Sequence, residues 1–269
     1  MAEQRIRLAI CGACGRMGQR LIALASADLK LKVVAALEAP GNPRLGDDAG
    51  LVAGVASIGV PVGTELKVDA DVMIDFTVPA ATLGWLARCQ QAKMGMVIGT
   101  TGFAPEGHAA IVEASKTIPI LKSANMSVGV NVLLRIVGQV AQTLGEPYDI
   151  EIIEAHHRFK KDAPSGTAMA LAKAIADATG RSVQTDLVHG RHGTDAVRRA
   201  GEIGMHALRL GDTVGEHEVH FGTLGETVRI AHSAHTRDTF AAGGLRAAHW
   251  LAGRPAGLYS MQDVLFGGM

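Results

Sequence analysis

An α/β fold is predicted, with a Rossmann-like parallel sheet in the first half of the chain and an α+β domain with a mixed, open sheet in the second. Three observations predict it. From Ile6 to Ser127, short apolar runs of strand length alternate with helical stretches, the pattern of a parallel sheet covered on both faces. A glycine-rich turn separates the first apolar run from the first helix. Beyond Pro147 the character changes, and residues 149–155 alternate apolar with polar, as a half-exposed strand does.

The composition bounds the function. Hydrophobic residues make up 48% of 269 and charged residues 19%, so a substantial core is expected. Aromatics are only 4%, so that core is aliphatic and a base-stacking platform is not expected. Lys+Arg 26 balances Asp+Glu 26, leaving no global basic field for nucleic acid. Cys11, Cys14 and Cys89 are too few, and odd in number, for a disulfide framework. Cys11 and Cys14 lack the second pair that a zinc site needs, and no metal is expected. The opening residues lack the apolar core of a signal peptide, and residues 128–144 are too short and too polar to span a bilayer. A reduced, cytoplasmic protein with no membrane or nucleic-acid partner is expected.

Taken in order, residues 6–11 form a first strand, residues 12–18 a glycine turn and residues 19–25 a helix. A second strand at 33–38 ends on Glu38. Glycines let the backbone turn tightly against a pyrophosphate, and the helix N-terminus faces its charge. An acid about twenty residues on accepts from the adenosine ribose. The spacing is G-x-x-G-x-x-G, with Cys14 at the usual middle glycine. Ala39 stands where an arginine would pair with a 2′-phosphate, so NADH is expected over NADPH, with Arg16 and Arg44 as substitute phosphate partners. Residues 41–63 read as a surface excursion. Strands at 72–76, 96–99 and 119–124 follow, with helices opening at Thr77-Val78-Pro79, Pro105 and Val128. Gly99, Thr100, Thr101 and Ser123, Ala124, Asn125, Met126 fall at strand carboxyl ends, where such sheets bind ligands.

The stretch 154–167 gathers His156, His157, Arg158, Lys160 and Lys161 ahead of a helix capped by Ser165. Cations and open helix amides suit a small, multiply anionic ligand, and a histidine among them exchanges protons near neutral pH. That helix runs to Thr179 and Gly180 ends it. Strands are expected at 205–210, 218–221 and 227–230, a helix at 237–250 and a last short strand at 263–266. Domains are placed at residues 1–127, 128–236 and 237–269, the last returning to the first.

Several segments together resemble the 4-hydroxy-tetrahydrodipicolinate (dihydrodipicolinate) reductase family. They are Gly12-Ala13-Cys14-Gly15-Arg16-Met17-Gly18, Val97-Ile98-Gly99-Thr100-Thr101-Gly102, Asn125-Met126-Ser127-Val128-Gly129-Val130-Asn131 and Glu151-Ile152-Ile153-Glu154-Ala155-His156-His157 with Lys160-Lys161-Asp162-Ala163-Pro164-Ser165-Gly166-Thr167. Gly215-Glu216-His217 and Phe240-Ala241-Ala242-Gly243-Gly244 add to it. The resemblance implies NAD(P)H as reductant, a dicarboxylate imine as substrate and a homotetramer assembled through the open sheet. It implies cofactor contacts at Gly12, Ala13, Cys14, Gly15, Arg16, Met17, Glu38, Gly99, Thr100, Thr101, Ser123, Ala124, Asn125 and Met126. It implies that His156 and Lys160 are catalytic, and that His157, Gly166 and Thr167 hold substrate. Two other readings compete: an amino-acid or semialdehyde dehydrogenase with the same first domain, needing a catalytic cysteine or a different acid–base pair in the second, and a non-catalytic NAD-sensing or DNA-binding protein. Cys89 sits in a helical pattern, which disfavours the cysteine route, and residues 128–134 are apolar rather than basic, which disfavours the third reading.

Overall fold

The computed structural model describes residues 5–267. The opening Met1-Ala2-Glu3-Gln4, part of the segment expected to lack a signal-peptide core, lies outside the described residues. The chain divides into two compact units, Met1–Val128 with Arg237–Met269, and Gly129–Thr236.

The first unit holds a seven-stranded sheet in the order β12-β6-β5-β4-β1-β2-β3, parallel throughout. Its strands are β1 (Ile6–Cys11), β2 (Leu31–Leu37), β3 (Val62–Gly63), β4 (Val72–Asp75), β5 (Gly95–Ile98), β6 (Pro119–Lys122) and β12 (Gly257–Tyr259). The strand order reverses beside β1, the position at which ligands bind in open α/β sheets. Alternation along β1 divides the core. Leu8 and Ile10 join Leu21, Ile22 and Leu245 on one face, and Ala9 and Cys11 join Leu86, Cys89 and Ile111 on the other. Those partners come from α1 (Arg16–Ala27) and α7 (Asp238–Leu251), and from α3 (Pro79–Ala92) and α4 (Pro105–Ala114). Arg20 and Asp238 pair at 2.5 Å between α1 and α7. A Cβ at Gly243 would lie 1.8 Å from the Met126 carbonyl oxygen, so the α7 backbone seats directly on the turn that follows β6.

The second unit holds a five-stranded sheet, β11-β10-β7-β9-β8. β7 (Asp149–His156) runs parallel to β9 (Ile203–Arg209) and antiparallel to β10 (Gly215–Thr223), so the sheet is mixed. β8 (Leu187–His189) and β11 (Glu226–Ala234) are its edges. Ile150, Ile152, Val219, Phe221, Ile203 and Met205 bury one face against α5 (Val128–Leu144) and α6 (Gly166–Thr179). The two helices pack closely, since a Cβ at Gly138 would lie 3.0 Å from the Ala174 carbonyl oxygen.

The structure departs from the expected elements in three places. Residues 263–266 are not a strand but the end of α8 (Met261–Phe266), because Ser260 and Asp263 form a capping box whose reciprocal bonds start a helix despite Val264 and Phe266. Residues 41–63 are more than a surface excursion. Asp48 accepts from the amides of Gly50, Leu51, Ile58 and Gly59 and from Ser57 Oγ, gathering the segment around α2 (Ala49–Val52), while Val62 and Gly63 extend the sheet. β8 and β12, three residues each, are too short to leave a periodicity in the sequence.

Candidate active site

In the first unit the turn after β1 is held by its neighbours. The amides of Gly12 and Ala13 donate to the Leu37 carbonyl at the end of β2, at 2.9 and 3.0 Å. The Cys14 amide donates to Glu38 Oε2 at 3.0 Å, and Ala39 donates to Glu38 Oε1 at 2.9 Å. Gly12 has φ 71°, and a Cβ at Gly18 would lie 2.1 Å from the Gly12 carbonyl oxygen. Both positions therefore require glycine. Gly15 is the N-cap residue of α1, with no side-chain cap bond and no acid in the first turn, so the first amides, including those of Arg16 and Met17, have no partner within the helix and suit an anion. This cradle fits a dinucleotide pyrophosphate. Cys14 fills the turn: burial raises its thiol pKa first, with Glu38 adding to it, which makes it a poor nucleophile.

At the carboxyl ends of β4 and β5 a residue that the sequence placed only in a strand organises the loops. Asp75 is fully buried and accepts from the hydroxyls of Thr77 at 2.6 Å, Thr100 at 2.8 Å and Thr82. Thr100 Oγ1 also accepts from the Thr77 amide at 2.9 Å. The Thr100 side chain is thus committed inward, and its backbone is what remains to face a ligand. Thr101 is exposed, while Gly99 sits against the Phe76 ring, where a Cβ would meet Cε1 at 2.3 Å. After β6, Ser123 Oγ donates to the Asn125 carbonyl at 2.7 Å and the Ser127 amide to Asn125 Oδ1 at 2.9 Å, a tight turn leading into α5 with Met126 buried and Ala124 between them.

In the second unit the end of β7 builds a polar cluster. Strand alternation puts Glu154 and His156 in phase with Ile150 and Ile152, on the helix-covered face, while His157 follows the strand end. Glu154 is fully buried, yet paired with His156 and Arg209. Burial opposes its charge, but hydrogen bonds from Arg209 and His156 outweigh this and hold its carboxyl below the usual range. Arg209, on β9, grips it with two nitrogens at 2.9 and 2.8 Å, and His156 Nδ1 lies 2.6 Å from Oε2. Burial pulls the His156 pKa below its ordinary value, Glu154 works against that, and Lys160 and Arg209 add to the lowering. Lys160, 21% exposed, is paired with Asp162 at 2.9 Å. His157 Nδ1 is buried without a hydrogen-bond partner. Ser165 caps α6 by accepting from the Ala168 amide at 3.1 Å, and the space around the exposed Gly166 is open. Thr167 follows it in the first turn. The cluster therefore joins His156, Lys160, His157 and the α6 N-terminus around the end of one strand.

His217, from β10, completes it. Its Nε2 lies 3.1 Å from Ser165 Oγ, and its ring meets His156 edge-on at 5.2 Å between centroids. Burial first, then the neighbouring His156, push it down to about 4. A histidine buried neutral binds its proton more readily in the unfolded chain, so its contribution is present at neutral pH and lost as pH falls from the ordinary histidine value towards about 4. Across that window the loss amounts to about 3 kcal/mol. Urea unfolding at a series of pH values is expected to show stability falling through this range, with a shallower slope in His217→Gln. Identical slopes would show that His217 titrates normally in the folded protein.

Glu154, Arg209 and His217 were given no role at the site from the sequence, although Glu154 and His217 lie in segments that carry the resemblance. The signal for Glu154 was present: an acid in the apolar phase of a strand needs a buried partner. Arg209 and His217 lie 55 and 63 residues beyond Glu154, and only sheet pairing brings them to it. Among the described residues, no group of three or more His, Cys, Asp or Glu is placed to hold a metal, and no helix is long and apolar enough to cross a membrane.

Comparison with known proteins adds an independent line. Residues 6–126 match the model of the dihydrodipicolinate reductase N-terminus, and residues 129–265 that of its C-terminus. The 4-hydroxy-tetrahydrodipicolinate reductase of Geobacter metallireducens is 48% identical over 97% of this chain and 98% of its own. That of Geobacter sulfurreducens is 47% identical over 96% and 98%. Among solved structures, a dipicolinate-bound dihydrodipicolinate reductase from Paenisporosarcina sp. TG-14 matches with a TM-score of 0.75 at 25% identity, over 97% of this chain and 99% of that one. A phosphate-ready glycine turn in the first unit, an acid-paired histidine in the second and end-to-end similarity agree, and the chain belongs to the dihydrodipicolinate reductase family.

Proposed function

We propose that this chain reduces 4-hydroxy-tetrahydrodipicolinate, by way of dihydrodipicolinate, to tetrahydrodipicolinate in diaminopimelate and lysine biosynthesis, with NAD(P)H as reductant. The observation that carries the proposal is the His156 imidazole, bound through Nδ1 to buried Glu154 and grouped with Lys160 and the α6 N-terminus in a member of this family. When bound, the nicotinamide supplies hydride. The chain's own residues do the rest. Amides of Gly166 and Thr167 hold one substrate carboxylate at the positive helix end. Lys160 exchanges Asp162 for the other carboxylate, with His157 beside it. His156 gives a proton to the ring carbon left electron-rich by hydride addition. Because burial lowers the free imidazole's pKa, the two arriving carboxylates have the task of restoring its charge.

The first unit's turn, with Gly12, Ala13, Cys14, Gly15, Arg16, Met17 and Glu38, is the proposed cofactor site, together with Gly99, Thr100, Thr101, Ser123, Ala124, Asn125 and Met126. NADH is the proposed preference. Glu38 offers a carboxylate to ribose hydroxyls and repels a 2′-phosphate, and Arg44 is already paired with Asp47 at 2.5 Å. Following NADH and NADPH oxidation with synthase-generated substrate tests both points. Turnover is expected with both reductants and higher kcat/KM with NADH. No turnover with either would refute the reaction, and an NADPH advantage would refute the preference.

A cysteine-dependent dehydrogenase is disfavoured, because Cys89 is fully buried and its thiol is pushed up to about 12 by that burial. A homotetramer built on the open sheet is supported by apolar side chains on the face away from α5 and α6, such as Leu208, 49% exposed. The three free thiols support a cytoplasmic location.

A further inference from the structure

Glu154 lies at the centre of the second unit's cluster, and every donor it accepts serves a part of the proposed chemistry. Oε2 accepts from His156 Nδ1 at 2.6 Å and from Arg209 at 2.9 Å. Oε1 accepts from the Ser165 amide at 3.0 Å and from the second Arg209 nitrogen at 2.8 Å. Ser165 is the cap of α6, so the same carboxylate that holds the imidazole also holds the helix end. Arg209 reaches on to the Asp162 carbonyl at 2.7 Å, in the turn that carries Lys160. Four donors on two oxygens leave a carboxylate no freedom to rotate.

The consequence falls on the imidazole. An ionised carboxylate only accepts, so the ring nitrogen facing it must carry hydrogen in both the neutral and the cationic state. The exchangeable proton of His156 is then on Nε2. That nitrogen sits beside Gly215, where a Cβ would lie 3.2 Å away, so the glycine keeps its approach uncrowded. We infer that Glu154 is a positioning residue: it fixes His156 as the Nδ1–H tautomer, aims Nε2 as the proton-donating atom and ties that atom to the α6 N-terminus. The inference rests on His156 being the acid of the proposed reaction. The charged and titratable groups facing His156 are Glu154 on β7, Lys160 with Asp162 in the turn beyond it, Arg209 on β9 and His217 on β10.

Glutamine at this position tests the assignment by chemistry rather than by shape. Its oxygen can still accept from Ser165 and one Arg209 nitrogen, which leaves its NH2 facing His156 and the other Arg209 nitrogen. Nδ1 must then accept, the neutral ring shifts to Nε2–H and the cation is disfavoured. In ¹⁵N-histidine NMR of the wild-type protein, with His156→Asn used only to assign the signal, neutral His156 is expected as Nδ1–H. In Glu154→Gln it is expected as Nε2–H. The descending alkaline limb of kcat/KM is expected to move to lower pH by about a unit or more. The expected drop in kcat is about tenfold to a hundredfold, with NADH affinity unchanged and partial rescue by Glu154→Asp. Wild-type His156 found as Nε2–H would overturn the inference whether or not the variant folds. So would a Glu154→Gln enzyme that is slower but keeps the wild-type tautomer and limb. Failure of the wild type to reduce the substrate would be seen separately in the assay, and would refute the reaction while leaving the tautomer measurement to decide the positioning role.

Discussion

His156→Gln is expected to lower kcat by about a hundredfold or more while leaving the affinity for NADH unchanged. The size follows from the step removed. Carbon is a poor proton acceptor from water, and a positioned imidazolium delivers the proton without the cost of bringing an acid from solution. The separation of effects follows from the fold, because His156 lies in the second unit and the glycine turn in the first. Lys160→Ala provides the contrast. Its ammonium is proposed to hold a carboxylate both before and during the reaction, so both KM and kcat should suffer. Steady-state kinetics on the two variants decide the assignment. Wild-type turnover in His156→Gln would remove the residue from the acid role, and an unaltered KM in Lys160→Ala would remove the lysine from substrate binding.

Arg209→Met is expected to destabilise the protein by about 3 kcal/mol or more, the range for breaking one side of a buried ion pair. Glu154 has no exposed side-chain surface, and Arg209 supplies two of its four donors. Without the guanidinium, the carboxylate is left with His156 and one amide, and must either stay charged in a poor environment or take up a proton. The pH dependence has a definite sign. The carboxyl of Glu154 is held below its unfolded value, so its stabilisation is complete above the usual carboxylate pKa and lost as pH falls through the folded one. Removing Arg209 narrows that gap, so the variant should be relatively most impaired near neutral pH. The double variant Glu154→Gln with Arg209→Met should recover part of the loss, since it removes the stranded charge along with its partner. Urea denaturation of the three proteins measures this. Equal stability of wild type and Arg209→Met would mean that solvent reaches Glu154 in the folded state.

Much of the fold was legible because backbone rules act locally. Pro79 and Pro105 open helices where they were expected to, and Gly180, at φ 70°, ends α6. The apolar strands of the first sheet announce themselves because both their faces are buried. The misread tail shows the limit. Val264, Leu265 and Phe266 look like a strand by side-chain type, yet the Ser260–Asp263 capping box decides the matter through two backbone bonds.

The glycine turn, Glu38 and the capped helix after the paired histidines were readable from spacing, because each depends on residues adjacent in the chain. The cluster around Glu154 was not. Its alternation phase marked it as facing a core, but which residues would neutralise it depended on β9 and β10 lying either side of β7. The sequence by itself determined which residues could cradle phosphate and which could donate a proton. Only the tertiary structure decided which nitrogen of His156 is left able to do so, because a tautomer is set by the hydrogen-bond partner opposite it, and those partners meet only when distant strands pair.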